Sequence, residues 1–167
     1  MKLARFLMIL MLALSLSTSA MAQDAKEVKN EEFGLTVKAP DKWEVQSSDK
    51  AVANFKHRSS QSQIEVIGTK LMSKDVADVF FKTFHKTLKE SKFEPGEQSE
   101  ITIGSQKGTQ TNYKFMHSGV KLEVVIFQFI QDSSAWLVVG YMQDSEKDKY
   151  YGDFKTVVES MKFTAAK

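Results

Sequence analysis

The chain has 167 residues and no cysteine, with 23 Lys plus Arg against 21 Asp plus Glu. That length suits one domain with its own core, and the missing thiols exclude disulfide exchange, thiolate catalysis and zinc–thiolate sites. Lys2 and Arg5 supply the whole positive balance, which leaves 21 basic against 21 acidic residues beyond them. A general nucleic-acid binder needs a basic face and is not expected.

Met1-Lys2-Leu3-Ala4-Arg5 is basic, Phe6 to Leu16 is apolar, and Ala20-Met21-Ala22 ends a stretch of small residues. That order predicts a secretory signal peptide over residues 1–22, cut after Ala22. Its apolar run is shorter than the roughly 20 residues that span a bilayer, so no transmembrane segment is expected in the mature chain. Without a cysteine near the cleavage site, a lipid anchor is excluded. Residues 23–32 are polar and read as a tether, and residues 33–167 as a single domain.

Along that domain Phe33, Leu35, Val37 and Ala39 alternate with polar or small residues and predict a strand. Pro40-Asp41-Lys42 is a turn, and short strands follow at 43–45, 51–56 and 63–68. The period then changes. Val76, Phe80, Phe84 and Leu88 recur every fourth position behind Ser73, a good N-cap, with Ala77 and Phe81 beside them, which predicts an amphipathic helix of about five turns. It is expected to stop before Pro95-Gly96. Strands at 99–103 and 109–115 flank a turn at 104–108. At the far end, Ser145 and Asp148 suggest a capping box for a helix whose inner face is Tyr150, Phe154, Val157, Val158 and Met161.

Between these lies the most apolar internal stretch, Val120 to Gln143. Asp132-Ser133-Ser134 at its middle rules out a membrane span and predicts a β-hairpin with arms at 120–131 and 135–143. Val124 and Ile126 point to one face, Val125, Phe127 and Phe129 to the other. Both faces are apolar, so both are covered. The expected fold is α+β: a central antiparallel sheet flanked by two amphipathic helices. The bland reading of this apolar surface is core. The functional reading makes Trp43, Phe127, Phe129 and Trp136 aromatic anchors lining a groove for an apolar ligand or a protein segment.

The order of elements, together with Phe33-Gly34-Leu35-Thr36-Val37-Lys38-Ala39-Pro40-Asp41-Lys42-Trp43, resembles the PsbP/DcrB-like superfamily, which includes the Ran-binding Mog proteins. The resemblance implies an α/β/α sandwich without a shared catalytic site. It also implies binding, assembly or chaperone-like roles, and a periplasmic rather than extracellular location for an exported bacterial member.

No chemistry-bearing motif stands against this. His57, His85 and His117 have no second His or Cys at metal-ligand spacing. Asp144, Glu146 and Asp148 lack the glycine and glutamate of a calcium loop, and suit a helix N-terminus instead. Gly104-Ser105-Gln106-Lys107-Gly108 is not a nucleophile elbow. No cofactor is implied. Two alternatives to a binding module remain: a small hydrolase using His57 or His117 with a carboxylate, and a structural or stress-related protein whose sheet edge pairs with another chain.

Overall fold

The computed structural model describes residues 27–164, with Lys74 described in its backbone only. The expected signal peptide and the start of the tether lie outside the described residues. Ten strands and two helices follow: β1 Glu27–Asn30, β2 Leu35–Lys38, β3 Trp43–Val45, β4 Ala53–His57, β5 Gln63–Lys70, α1 Lys74–Glu90, β6 Glu94–Ile103, β7 Gln106–His117, β8 Val120–Gln131, β9 Ser134–Gln143, α2 Lys147–Ser160 and β10 Lys162–Phe163. A 3-10 turn, Asp144–Glu146, leads into α2. The fold is α+β and its strand pairing is antiparallel throughout.

Seven strands form the large sheet in the order β3-β4-β5-β9-β8-β7-β6, and β1, β2 and β10 form a small one. The β8–β9 hairpin is the centre of the large sheet and pairs from Leu122↔Gln143 to Gln131↔Ser134. Its turn is tighter than the sequence suggests. Asp132 sits at φ 54°, a left-handed conformation that Asp tolerates, so two residues reverse the chain and Ser134 already belongs to β9.

Both sheet faces are covered, as the doubly apolar hairpin requires. On one face Val125, Phe127, Trp136 and Val138 pack with Leu35 and Val37 of the small sheet and with Tyr150, Phe154, Val157 and Val158 of α2. On the other, Val124, Ile126, Leu137 and Val139 meet Ala77, Phe81 and Leu88 of α1. Each fully buried side chain of this size contributes on the order of 1.5–3 kcal/mol.

Several local expectations change. The buried ridge of α1 runs through Ala77, Phe81 and Leu88, while Val76 is exposed and Phe80 and Phe84 are only partly covered. Both apolar rows fit a helical period, and only the sheet beneath selects between them. Ser73 is the N-cap of α1 by position, without a side-chain capping bond, and α2 starts after Glu146 with no capping box. The first helix stops at Glu90. Lys92 takes φ 66° and the Phe93 N–H bonds the Leu88 carbonyl, which closes the last turn. Pro95-Gly96 then lies inside β6, where an edge strand tolerates a proline. Glu27–Asn30, within the polar stretch read as a tether, pairs with β2. Backbone pairing needs no apolar pattern, so only Val28 of that strand packs against the core.

Candidate functional site

The four aromatic candidates lie in the interior. Trp43 is 4%, Phe127 0%, Phe129 3% and Trp136 1% exposed. The Trp43 indole N–H donates to Asp153 Oδ2 at 2.8 Å, and its ring meets His57 and Tyr150 edge-on. Phe129 stacks on Trp136, which also packs on Phe33 and Phe163. The sheet is wide enough to be roofed by α2 and the small sheet together, so these rings present no surface to a partner. The groove expected around them is not open, and this corrects the sequence reading.

The histidines separate in the same way. His57 is buried, with Nδ1 3.4 Å from the Tyr150 hydroxyl and from the Ser59 N–H. His117 is exposed at the end of β7 and stacks on Phe115. Among the described residues neither has a carboxylate within hydrogen-bond reach, and no group of three or more His, Asp or Glu is placed to hold a metal ion.

His85 is different, because its helix carries it over an opening in the sheet. Lys82, His85, Lys86 and Lys89 recur at three- and four-residue spacing along α1 and share one face. Opposite them β7 and β8 present Thr111, Tyr113 and Gln128. Between Pro95↔Tyr113 and Gln98↔Thr111 the register of β6 skips, so Gly96 and Glu97 together oppose Asn112. Such a bulge bends the edge strand. A cleft of about 510 Å³ is left between α1 and β6–β8, with Phe81 as an apolar part of its wall.

The hydrogen bonding of that wall fixes protonation states. His85 Nδ1 lies 2.7 Å from the Tyr113 hydroxyl, and Nε2 lies 2.5 Å from Gln128 Oε1. A carbonyl oxygen only accepts, so Nε2 carries the proton, and in the neutral imidazole that burial favours Nδ1 accepts from Tyr113. Burial holds the His85 pKa below its ordinary value; the Gln128 bond opposes this and the Lys89 charge adds to it. Burial likewise raises Tyr113 and keeps its hydroxyl protonated. The imidazole is therefore neutral near pH 7 with both nitrogens engaged. Thr111 is 3% exposed, yet among the described residues its Oγ1 has no partner. Lys86 makes only an exposed 3.8 Å contact with Glu90, and among the described residues Lys82 and Lys89 have no ion-pair partner.

A second polar group sits under β4, β5 and β9. Gln63 Nε2 donates to Asn54 Oδ1 at 3.0 Å and to Glu65 Oε1 at 2.9 Å, while Glu65 Oε2 has no partner. Burial pushes the Glu65 carboxyl up to about 7, against the opposing effects of Lys50 and Gln63. At the entry to α2, Lys147 bonds the buried Glu123 at 3.0 Å.

Sequence reasoning noted His85 only as a histidine without a metal-ligand partner at the right spacing. Its cleft partners are 28 and 43 residues away along the chain. The legible signal was the basic row Lys82, Lys86 and Lys89 with a histidine set into it.

No family model and no curated protein matches the chain. Solved structures do. A protein of Bacteroides thetaiotaomicron superposes with TM-score 0.63 at 11% identity over 85% of this chain, which spans about half (49%) of that protein's length. Cyanobacterial PsbP of Synechocystis gives TM-score 0.58 at 13% identity over 91% of this chain and 99% of its own. The chain has a PsbP-like fold. LpqN of Mycobacterium tuberculosis, a protein involved in cell envelope biogenesis, superposes on the chain with TM-score 0.58 at 16% identity, over 76% of this chain and 81% of its own. Among the described residues no helix is long and apolar enough to cross a membrane.

Proposed function

We propose that the chain is an exported, non-catalytic binding protein of the cell envelope, whose working surface is the cleft between α1 and β6–β8. The state of His85 carries this reading. It is neutral and bonded on both sides, so it braces the cleft wall and has no free nitrogen to take a proton from a substrate. The space beside it stays open. A PsbP-like fold and the envelope role of LpqN favour the same reading, as does the signal peptide expected at residues 1–22, with the periplasm preferred over the medium.

The alternatives have less support. A hydrolase built on His57 or His117 lacks a carboxylate partner in reach among the described residues. Pairing at the long β6 edge is opposed by Glu94, Glu97, Glu100, Pro95 and the bulge, the features with which edge strands resist addition.

The test uses the ¹⁵N-labelled chain from Gln23, mixed with fractions of its host's envelope extract, and follows amide shifts. Shifts gathered on α1 and β6–β8 are expected, and Gln98→Trp, which places a bulky ring on the exposed rim, abolishes them. An extract that leaves those amides unmoved, or shifts only others, overturns the reading.

A further inference from the structure

The cleft's polar inventory is one-sided, and this says what it takes. Thr111 offers a buried hydroxyl with no partner among the described residues, although a buried polar group normally finds one. Gln128 spends its carbonyl on His85, which leaves its amide N–H groups as donors. Lys82, Lys86 and Lys89 bring three ammonium groups to the mouth, and Asp78 is the acid among the lining residues. Asp78 lies about 16 Å along the helix axis from Lys89, by the rise of 1.5 Å per residue. The positive end of the cleft is therefore the His85–Lys89 end. The chain beyond its first 22 residues is balanced in charge, so this concentration of donors is local and focuses field into a concave space.

Resting on the reading of the cleft as the working surface, we infer that it binds the anionic head of a small organic molecule, a carboxylate or a phosphate. The head lies between the α1 lysines and the donors Thr111 and Gln128. Ammonium and hydroxyl donors converging on oxygen acceptors make charge-assisted hydrogen bonds, the strong class. Neutral His85 adds no charge of its own, and its role is to hold Gln128 with the amide turned outward. A cleft of about 510 Å³ holds more than an inorganic ion, and Phe81 supplies an apolar contact for the rest of the molecule. A free metabolite and a lipid headgroup share this chemistry.

Succinate and inorganic phosphate serve as probes, titrated into the ¹⁵N-labelled chain from Gln23 with sodium chloride at matched ionic strength as the control. Saturable shifts on α1, β7 and β8 are expected with both anions and not with chloride. The double change Lys82→Gln with Lys89→Gln should weaken binding roughly tenfold or more, as loss of charge-assisted bonds implies. Thr111→Val keeps the shape of the side chain and should weaken binding by roughly three- to tenfold, the worth of one hydrogen bond. Amide spectra of each variant show that the fold is kept. Retention on phosphatidylglycerol vesicles but not phosphatidylcholine vesicles, lost in the double variant, assigns a headgroup. Succinate binding without retention assigns a free anion.

Shifts no larger than those with chloride, or unchanged affinity in both variants, overturn the inference. Envelope-extract shifts that Gln98→Trp abolishes and the lysine changes leave intact would keep the binding reading and remove only the anionic one.

Discussion

Glu65→Gln should stabilise the protein at high pH and hardly affect it at low pH. Glu65 lies on β5 between Asn54 of β4 and Val139 of β9 and is 5% exposed. Burial disfavours its charged form, and the folded-state pKa rises from 4.5 to about 7. Between those values the folded state holds a proton that the unfolded state has lost. The contribution of Glu65 to stability is therefore greatest below pH 4.5 and is lost as pH rises through 7. At about 1.4 kcal/mol per pH unit the full loss amounts to about 3 kcal/mol. Glutamine is neutral at every pH and has the shape of the protonated acid. Relative to the parent, the variant should gain roughly 2–3 kcal/mol at pH 8.5 and close to none at pH 4.5, by the same linkage. For a domain of this size that is roughly 5–10 °C in Tm. Urea unfolding at the two pH values, with m held common, measures the difference directly. An equal effect at both values, or a loss at pH 8.5, would refute the reasoning and mean that attraction to Lys50 outweighs burial.

Further predictions bear on the cleft and its support. Gly108→Ala places a Cβ against the Gln128 carbonyl oxygen, so β7 and β8 must part locally; a loss of about 1–3 kcal/mol is expected from overpacking, with loss of the His85–Gln128 contact in NMR spectra. Trp136→Ala empties one of the largest fully buried sites and should cost roughly 3–5 kcal/mol in chemical unfolding. His85 should titrate below 6.5 as the Nε2–H tautomer in ¹⁵N NMR. Removing the Lys89 charge by Lys89→Gln should move its midpoint upward, because a nearby cation disfavours the imidazolium; a midpoint at or above 6.5 in the parent would contradict the assigned hydrogen bonding.

The strands were legible where side-chain pattern and backbone pairing agree. Val124 and Ile126 against Val125 and Phe127 gave both covered faces, because a period of two leaves no choice of side once the strand is accepted. The α2 face was legible for the matching reason, with Tyr150, Phe154, Val157 and Val158 as its only coherent apolar row. The α1 face was legible only in part. Val76–Phe80–Phe84 and Ala77–Phe81–Leu88 are both helical rows, and the curved surface of the sheet chose between them. Strand β1 was not legible, since its hydrogen bonds come from backbone groups that every residue carries.

The sequence by itself determined that thiol chemistry is absent and that an α+β core closes around one hairpin. These follow from local composition and period. Only the tertiary structure decided that Trp43, Phe127, Phe129 and Trp136 are interior, because burial depends on what the small sheet and α2 cover. It also decided that His85, Tyr113, Thr111 and Gln128 share a cleft. They stand on three elements, α1, β7 and β8, and strand pairing decides that the Pro95-Gly96 stretch becomes the β6 bulge that leaves room between them.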